Sequence, residues 1–352
     1  MSPRTDGFHM PPEWAPHDGC WMLWPHRADT WREGGVPAQR AFAAVAAAIA
    51  ESERVWMGAP ADRCAAAREL LEASIEVVAL PSDDAWMRDV GPTFVIDERG
   101  ERRGVDWMFN AWGGLYDSWA QDDAVAARVL ERSGDSSYRA PLVLEGGSIE
   151  VDGEGTVLTT EQCLLNPNRN PSLSRGEIER ELREHLGVER VLWLGEGVVD
   201  DETSGHIDNL ARFVRPGVVA LTWTDDAADP QHAVSLDARR RLEAAGLEVC
   251  VVPSPGPLFM TAEESAGVAV VAGTKVRAPG DRLAGSYVNF YIANGAVVAP
   301  LLDERVDDAA LGILDDLFPD RSVVGVPARE ILLGGGNIHC ITQQMPSRSL
   351  DP

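Results

Sequence analysis

Short apolar runs alternate with amphipathic stretches along the whole chain, and the apolar runs are the more numerous. Segments rich in Val, Ile and aromatics, bounded by Gly, Pro or Asp, predict strands at 19–24, 54–58, 75–80, 92–96, 105–109 and 156–159. The same pattern recurs at 190–194, 209–214, 218–223, 247–252, 268–272, 287–292 and 296–299. Helical periodicity predicts helices over 37–51, 61–73, 122–132, 175–186, 236–245 and 307–317. Ser174 followed by Glu177 gives the fourth helix a capping box, in which each side chain satisfies an otherwise orphaned backbone donor. The tails before about Met10 and after about Met345 are expected to fray.

This mixture excludes two common α/β architectures. A simple Rossmann sheet or a TIM barrel alternates one strand with one helix, whereas strands here outnumber helices by roughly two to one. Repeated small units, each with several strands and one helix, fit better, although direct sequence repetition is weak. No low-complexity linker divides the chain, and a single domain over residues 1–352 is expected, with an ordered core at about 10–346.

Composition changes the picture only in part. Hydrophobic residues at 45% and charged residues at 25% are ordinary for a globular protein. No apolar stretch is long enough for a membrane span, and the N-terminus lacks the basic and apolar regions of a signal peptide. Five scattered cysteines (Cys20, Cys64, Cys163, Cys250, Cys340) form no CxxC pair, which argues against a zinc ribbon or a disulfide framework and for the reducing cytoplasm. The net charge of −25 makes nucleic acid and anionic membranes poor partners and a small cation a favoured one.

Candidate chemistry concentrates in a few segments. Cys340 follows Gly334, Gly335 and Gly336, a run that lets the backbone turn sharply and bring a thiol to a ligand. No GK[ST] follows those glycines, so they are not a P-loop. Asp89 lies between two strands beside Trp86 and Arg88; Glu145 ends an apolar run before Gly146 and Gly147. His206 and Asp208 lead into a strand, and Trp112 stands in a second aromatic-glycine turn. Taken singly, each has an ordinary reading as a cap, a solvated strand end or core. His206 with Asp208 lacks a third ligand at convincing spacing, so no metal is expected.

Spacing ties these residues together. Asp89 and Glu145 are 56 residues apart, Glu145 and His206 are 61 apart, and His206 and Cys340 are 134 apart, or twice 67. One polar residue per unit of about 55–70 residues suggests a pseudo-symmetric ring of five units whose loops meet on a common axis. A thiol with a histidine alone would suit acyl transfer, but three carboxylates would repel a developing oxyanion. They suit a guanidinium, a planar cation with five N–H donors. Carboxylates gripping its nitrogens leave the central carbon open to a thiolate, and a histidine can protonate the leaving ammonia and then activate water.

At this point the residues match a known group. The chain resembles the agmatine deiminases of the guanidine-modifying pentein superfamily, a peptidylarginine deiminase-like family. The resemblance spans about Met10–Pro346 and rests on Met10–His17 with Gly19–Pro25, Trp86–Pro92, Gly104–Gly114, Glu145–Gly147 with Asp152–Thr156, Asp201–Asn209, Ser286–Gly295 and Ala328–Gln344. It implies a five-bladed α/β propeller of repeated ββαβ-type units and hydrolysis of agmatine to N-carbamoylputrescine and ammonia, without metal or organic cofactor, in putrescine synthesis. By motif match, Cys340 would be the nucleophile, His206 the acid/base, and Asp89 and Asp208 the guanidinium clamps. Glu145 would hold the guanidinium or orient the histidine, with Trp86, Trp112 and Gly335 also at the substrate. A homo-oligomer is expected. Two departures stand out: the Trp112–Trp119 stretch is a few residues short, and Glu150 stands where the family pattern leads one to expect histidine. Free arginine or another alkylguanidine is therefore an alternative substrate, with Arg88 a possible partner for its carboxylate. A non-catalytic binding propeller is an alternative of another class.

Overall fold

In the computed structural model, which describes residues 2–348, the apolar runs assemble five times in one pattern: an antiparallel strand pair, a helical crossover, and a parallel third strand. β1 (His17–Leu23) crosses through helix Val36–Ala50 to parallel β2 (Val55–Ala59), and β3 (Glu76–Ala79) extends that sheet. β4 (Thr93–Ile96) pairs antiparallel with β5 (Arg102–Met108), which leads through helix Val125–Ser133 to parallel β6 (Ser136–Val143). β7 (Glu150–Val151), β8 (Thr156–Thr160) and β9 (Arg190–Leu194) repeat this around helix Arg175–Leu186. So do β10 (Ala211–Arg215), β11 (Val218–Trp223) and β12 (Glu248–Pro253) around helix Pro230–Ala244.

A two-stranded ribbon, β13 (Leu258–Phe259) with β14 (Arg282–Leu283), then intervenes. The fifth unit follows in β15 (Tyr291–Ile292), β16 (Ala296–Leu301) and β17 (Ser322–Pro327), with helix Asp307–Leu317. Finally β18 (Thr342–Pro346) pairs antiparallel with β1, Gln344 opposite Cys20. The C-terminal strand thus supplies the antiparallel partner that the first sheet lacks, and the circuit closes.

The middle strand of each unit is the most apolar because it is paired on both edges and covered by a helix. In β11, Val219, Ala220 and Leu221 are fully buried, and in β16 so are Val297, Val298 and Ala299. Each crossover helix contributes one apolar face; Phe42, Val45 and Ile49 recur at helical spacing on the first and are fully buried.

Several expectations need correction. Residues 268–272 form no strand: Val270 is 86% exposed, so an apolar run with no ladder partner stays irregular. The helix expected at 61–73 is confined to Cys64–Leu70. The one expected at 236–245 begins earlier, at Pro230, with Asp229 capping the Gln231 amide. Six strands escape the apolar pattern, among them the two-residue β7, β13 and β14. In β6, Tyr138, Ala140 and Leu142 point inward between exposed residues that include Arg139 and Pro141, as suits a sheet edge. β17 is also an edge strand, and β18 is polar yet buried. The N-terminal tail is docked rather than frayed: Ser2 caps helix Pro3–Asp6, Phe8 is buried, and His9 bridges to Ile96. Residues 349–352 lie outside the described part of the chain. Among the described residues no helix is long and apolar enough to cross a membrane.

Candidate active site

Just before the first strand of each unit the chain makes a short helical or irregular turn, and each turn carries a polar side chain. Asp89 lies in the turn Met87–Val90 ahead of β4, and Glu145 caps the turn Gly146–Ser148 ahead of β7. His206 and Asp208 sit at the turn Ile207–Leu210 ahead of β10, and Cys340 in the turn His339–Ile341 ahead of β18. The remaining unit supplies Asn289, two residues before β15, which the sequence reading missed. Its place is the gap left by the doubled interval between His206 and Cys340.

The structure brings all of these together. A Cβ placed on Gly147 would lie 2.7 Å from His206 Nδ1, 2.8 Å from Asp89 Oδ1 and 3.0 Å from Asp208 Oδ2, so the glycine is the gap around which they gather. His206 Nδ1 is 3.7 Å from Asp89 Oδ1, and its Nε2 is 3.5 Å from Glu145 Oε2. Cys340 Sγ is 3.7 Å from Asp208 Oδ2 and within 3.4 Å of Asn289 Nδ2. Asn289 Oδ1 accepts the His339 amide at 2.9 Å, so one side chain both shapes the turn and presents an N–H to the sulfur.

Further groups hold these in place. Asp89 accepts the Trp112 indole N–H at 2.8 Å and the Gly147 amide at 3.0 Å. Trp112 reaches it from a turn in which Ala111, Trp112, Gly113 and Gly114 all have positive φ. Two non-glycine residues in succession there are strained, and such strain persists only where the surroundings enforce it. Arg169 Nε donates to Glu145 Oε1 at 2.7 Å, both side chains fully buried. His339 bridges two carboxylates, Asp208 Oδ2 and Glu13 Oε2, each at 2.8 Å. Arg212 joins Glu13 at 2.8 Å and Glu150 at 3.2 Å, so Glu150 serves as a buried partner for arginine.

The remaining expected residues are placed more loosely. Trp86 packs against Gly336, where any Cβ would meet its ring at 2.5 Å, and against Trp31. Gly335 has φ +108 and touches Glu202, whose carboxylate pairs with Lys275 at 2.7 Å and Arg277 at 3.0 Å. Arg88 points away: it is buried against Glu13, Gln344 and the His339 carbonyl, and is not free to receive a substrate carboxylate. A surface cavity of about 950 Å³ beside the 195–200 loop has none of the converging residues in its lining.

Burial sets the electrostatics. It pushes the Asp89 carboxyl up to about 6, with His206 opposing and Asp208 and Glu145 adding to the rise. Burial works against charge on His206, yet Asp89 and the neighbouring Cys163 and Glu145 lift its pKa well above the usual value. Burial also disfavours the Glu145 and Asp208 carboxylates, but Arg169 holds the first down and His339 the second, so both stay charged. The Cys340 thiol is pushed well up by burial, then by Asp208 and Asp89. On the converging acid and base side chains, Asp208 Oδ1 and His206 Nε2 are buried without a hydrogen bond. The site is a buried, carboxylate-rich cluster with an acceptor unfilled and a thiol that a cation would activate.

The profile of the Porphyromonas-type peptidyl-arginine deiminase family matches residues 9–346. The chain belongs to that family. Within it, the chain is 57% identical to a putative agmatine deiminase of Pectobacterium atrosepticum, over 98% of this chain and 96% of that protein. It is 56% identical to an agmatine deiminase of Pseudomonas aeruginosa, over 98% and 97%. The solved agmatine deiminase of Enterococcus faecalis superposes with a TM-score of 0.95 at 45% identity, covering 99% of this chain and 98% of that one. The pentein propeller expected from the sequence is therefore the fold of this family member.

Proposed function

We propose that the chain hydrolyses agmatine to N-carbamoylputrescine and ammonia through a thiouronium on Cys340. The observation that carries this is Asp208 Oδ1, a fully buried carboxylate oxygen with no donor, in a group 3.7 Å from the thiol. A guanidinium N–H satisfies it, and Asp89 and Glu145 complete an anionic cradle for the remaining charge. The cation offsets the carboxylates that keep Cys340 protonated, so the thiol proton passes to solvent as substrate binds. The thiolate attacks the central carbon to give a tetrahedral adduct. His206, held protonated by Asp89 and Glu145, donates its proton to the departing ammonia. The neutral imidazole then takes a proton from water and hydroxide adds to the thiouronium carbon; the C–S bond breaks as the adduct's hydroxyl proton passes to the departing sulfur, which frees the carbamoyl product and restores the Cys340 thiol. Asn289 Nδ2 is placed to stabilise the sulfur in its anionic form.

Agmatine is favoured over arginine because Arg88, the cation nearest in sequence to the clamp, is engaged elsewhere. The relatives from Pseudomonas and Enterococcus carry the name agmatine deiminase. Release of ammonia and ureido product from agmatine, arginine and methylated arginines tests the assignment. Turnover of agmatine alone, abolished in Cys340→Ser with the fold intact, is expected; turnover of arginine but not agmatine would overturn the substrate, and a fully active Cys340→Ser the nucleophile.

A further inference from the structure

Cys163 carries out no step of the deimination and bears on it only through the charge state of His206, yet it lies inside the site. It lies 18 residues beyond Glu145 in the same unit and is brought in by the helical turn Glu161–Leu164 that follows β8. Its Sγ is 4.0 Å from Glu145 Oε2, and the same oxygen is 3.5 Å from His206 Nε2. The three ligand atoms all lie within 4.8 Å of one another, and all three residues are buried. His206 Nε2 is fully enclosed and without a partner, an imidazole nitrogen aimed at a thiol and a carboxylate.

These are the donors and spacings of a zinc site. Bonds of about 2.0–2.3 Å at tetrahedral angles require ligand separations of about 3.3–3.6 Å, so the pairs at 3.5 and 4.0 Å need little closure. The outer groups are also in place. Asp89 faces His206 Nδ1 at 3.7 Å, leaving Nε2 to a metal, the usual carboxylate–histidine–metal arrangement. Arg169 occupies Glu145 Oε1 and so turns Oε2 towards the thiol and imidazole. Charge balances as well: Glu145 and a Cys163 thiolate neutralise a divalent ion, while Asp89 offsets Arg169.

We propose that Glu145, Cys163 and His206 form a binding site for a thiophilic divalent cation, Zn²⁺ in particular, whose occupancy shuts the enzyme off. The Cys163 proton and one His206 proton leave as the ion enters. The ion takes the acid/base and one carboxylate out of use and sets a dication where a guanidinium must bind, so it competes with substrate. Thiolate and imidazole donors select zinc, cobalt or cadmium over magnesium or calcium. The binding site stands on geometry alone; the shut-off rests on the deiminase reading, so binding is measured without turnover.

The test is titration of metal-free protein with Zn²⁺ against a chromophoric chelator, with Co²⁺ absorption reporting the thiolate bond. One ion per chain is expected. Cys163→Ala and Cys163→Ser should weaken binding by about tenfold or more and remove the thiolate-to-cobalt band. Both variants should keep turning over substrate and lose zinc inhibition by the same factor as affinity. Cys340→Ser should bind zinc as the parent does. Undiminished binding in both folded Cys163 variants would overturn the site, and loss of binding in Cys340→Ser would overturn it by placing the ion on the nucleophile.

Discussion

Asp208→Asn separates binding chemistry from folding. Asp208 is fully buried, donates nothing, accepts His339 at 2.8 Å through Oδ2 and leaves Oδ1 unfilled. Asparagine has the same shape, and its carbonyl oxygen can still accept His339, so the fold loses little; removing a buried charge also removes a desolvation cost. Substrate binding loses far more. The amide cannot neutralise the guanidinium, and its NH₂ confronts an N–H donor. Removing one partner of a desolvated ion pair costs about 3–5 kcal/mol, or about 10²–10⁴ in kcat/KM. The assay pairs steady-state agmatine kinetics with thermal unfolding and with alkylation of Cys340 across pH. Because the Asp208 charge helps to hold the thiol pKa up, the alkylation midpoint should move down in the variant. A kcat/KM within tenfold of the parent, or an alkylation midpoint that stays or rises, would refute the reasoning.

Asp89 gives the pH dependence. With its carboxyl pushed up to about 6 and His206 still protonated across that range, kcat/KM should rise with pH through about 6 as the clamp ionises. Trp112→Phe removes the indole bond that favours the carboxylate, so the limb should shift to higher pH; an unmoved limb would exclude Asp89 as its source. Gly147→Ala drives a methyl to within 3.0 Å of His206, Asp89 and Asp208 together. Its destabilisation should be modest, about 1–3 kcal/mol, while kcat falls by about 10²-fold or more; near-normal kcat would show that the three groups are not held in reacting geometry.

Much of the site was legible because four of the five units place a chemically distinctive residue just before a strand, at an interval that repeats. The fifth residue was not, since Asn289 is 83 residues beyond His206 and 51 before Cys340, and the ribbon of β13 and β14 stretches that unit out of register. An asparagine among apolar residues also carries no chemical flag. Arg169 and His339 were invisible for a different reason: their roles lie in contacts with Glu145 and with Asp208, the latter 131 residues away. Strand β18 shows the same limit. Its Thr342, Gln343 and Gln344 look like a polar tail, and only pairing with β1 buries them.

The sequence by itself determined the inventory: a thiol behind three glycines, a histidine, three carboxylates, and strand-rich units of similar length, because local periodicity and turn chemistry are written residue by residue. Tertiary structure decided which of these meet and in what state. Closure of the circuit by β18 brings Cys340 to Asp208 across 132 residues, and burial then keeps the thiol protonated and lifts Asp89. It also seats Cys163 beside Glu145 and His206. Desolvation and charge proximity belong to the folded cavity and have no counterpart in the extended chain.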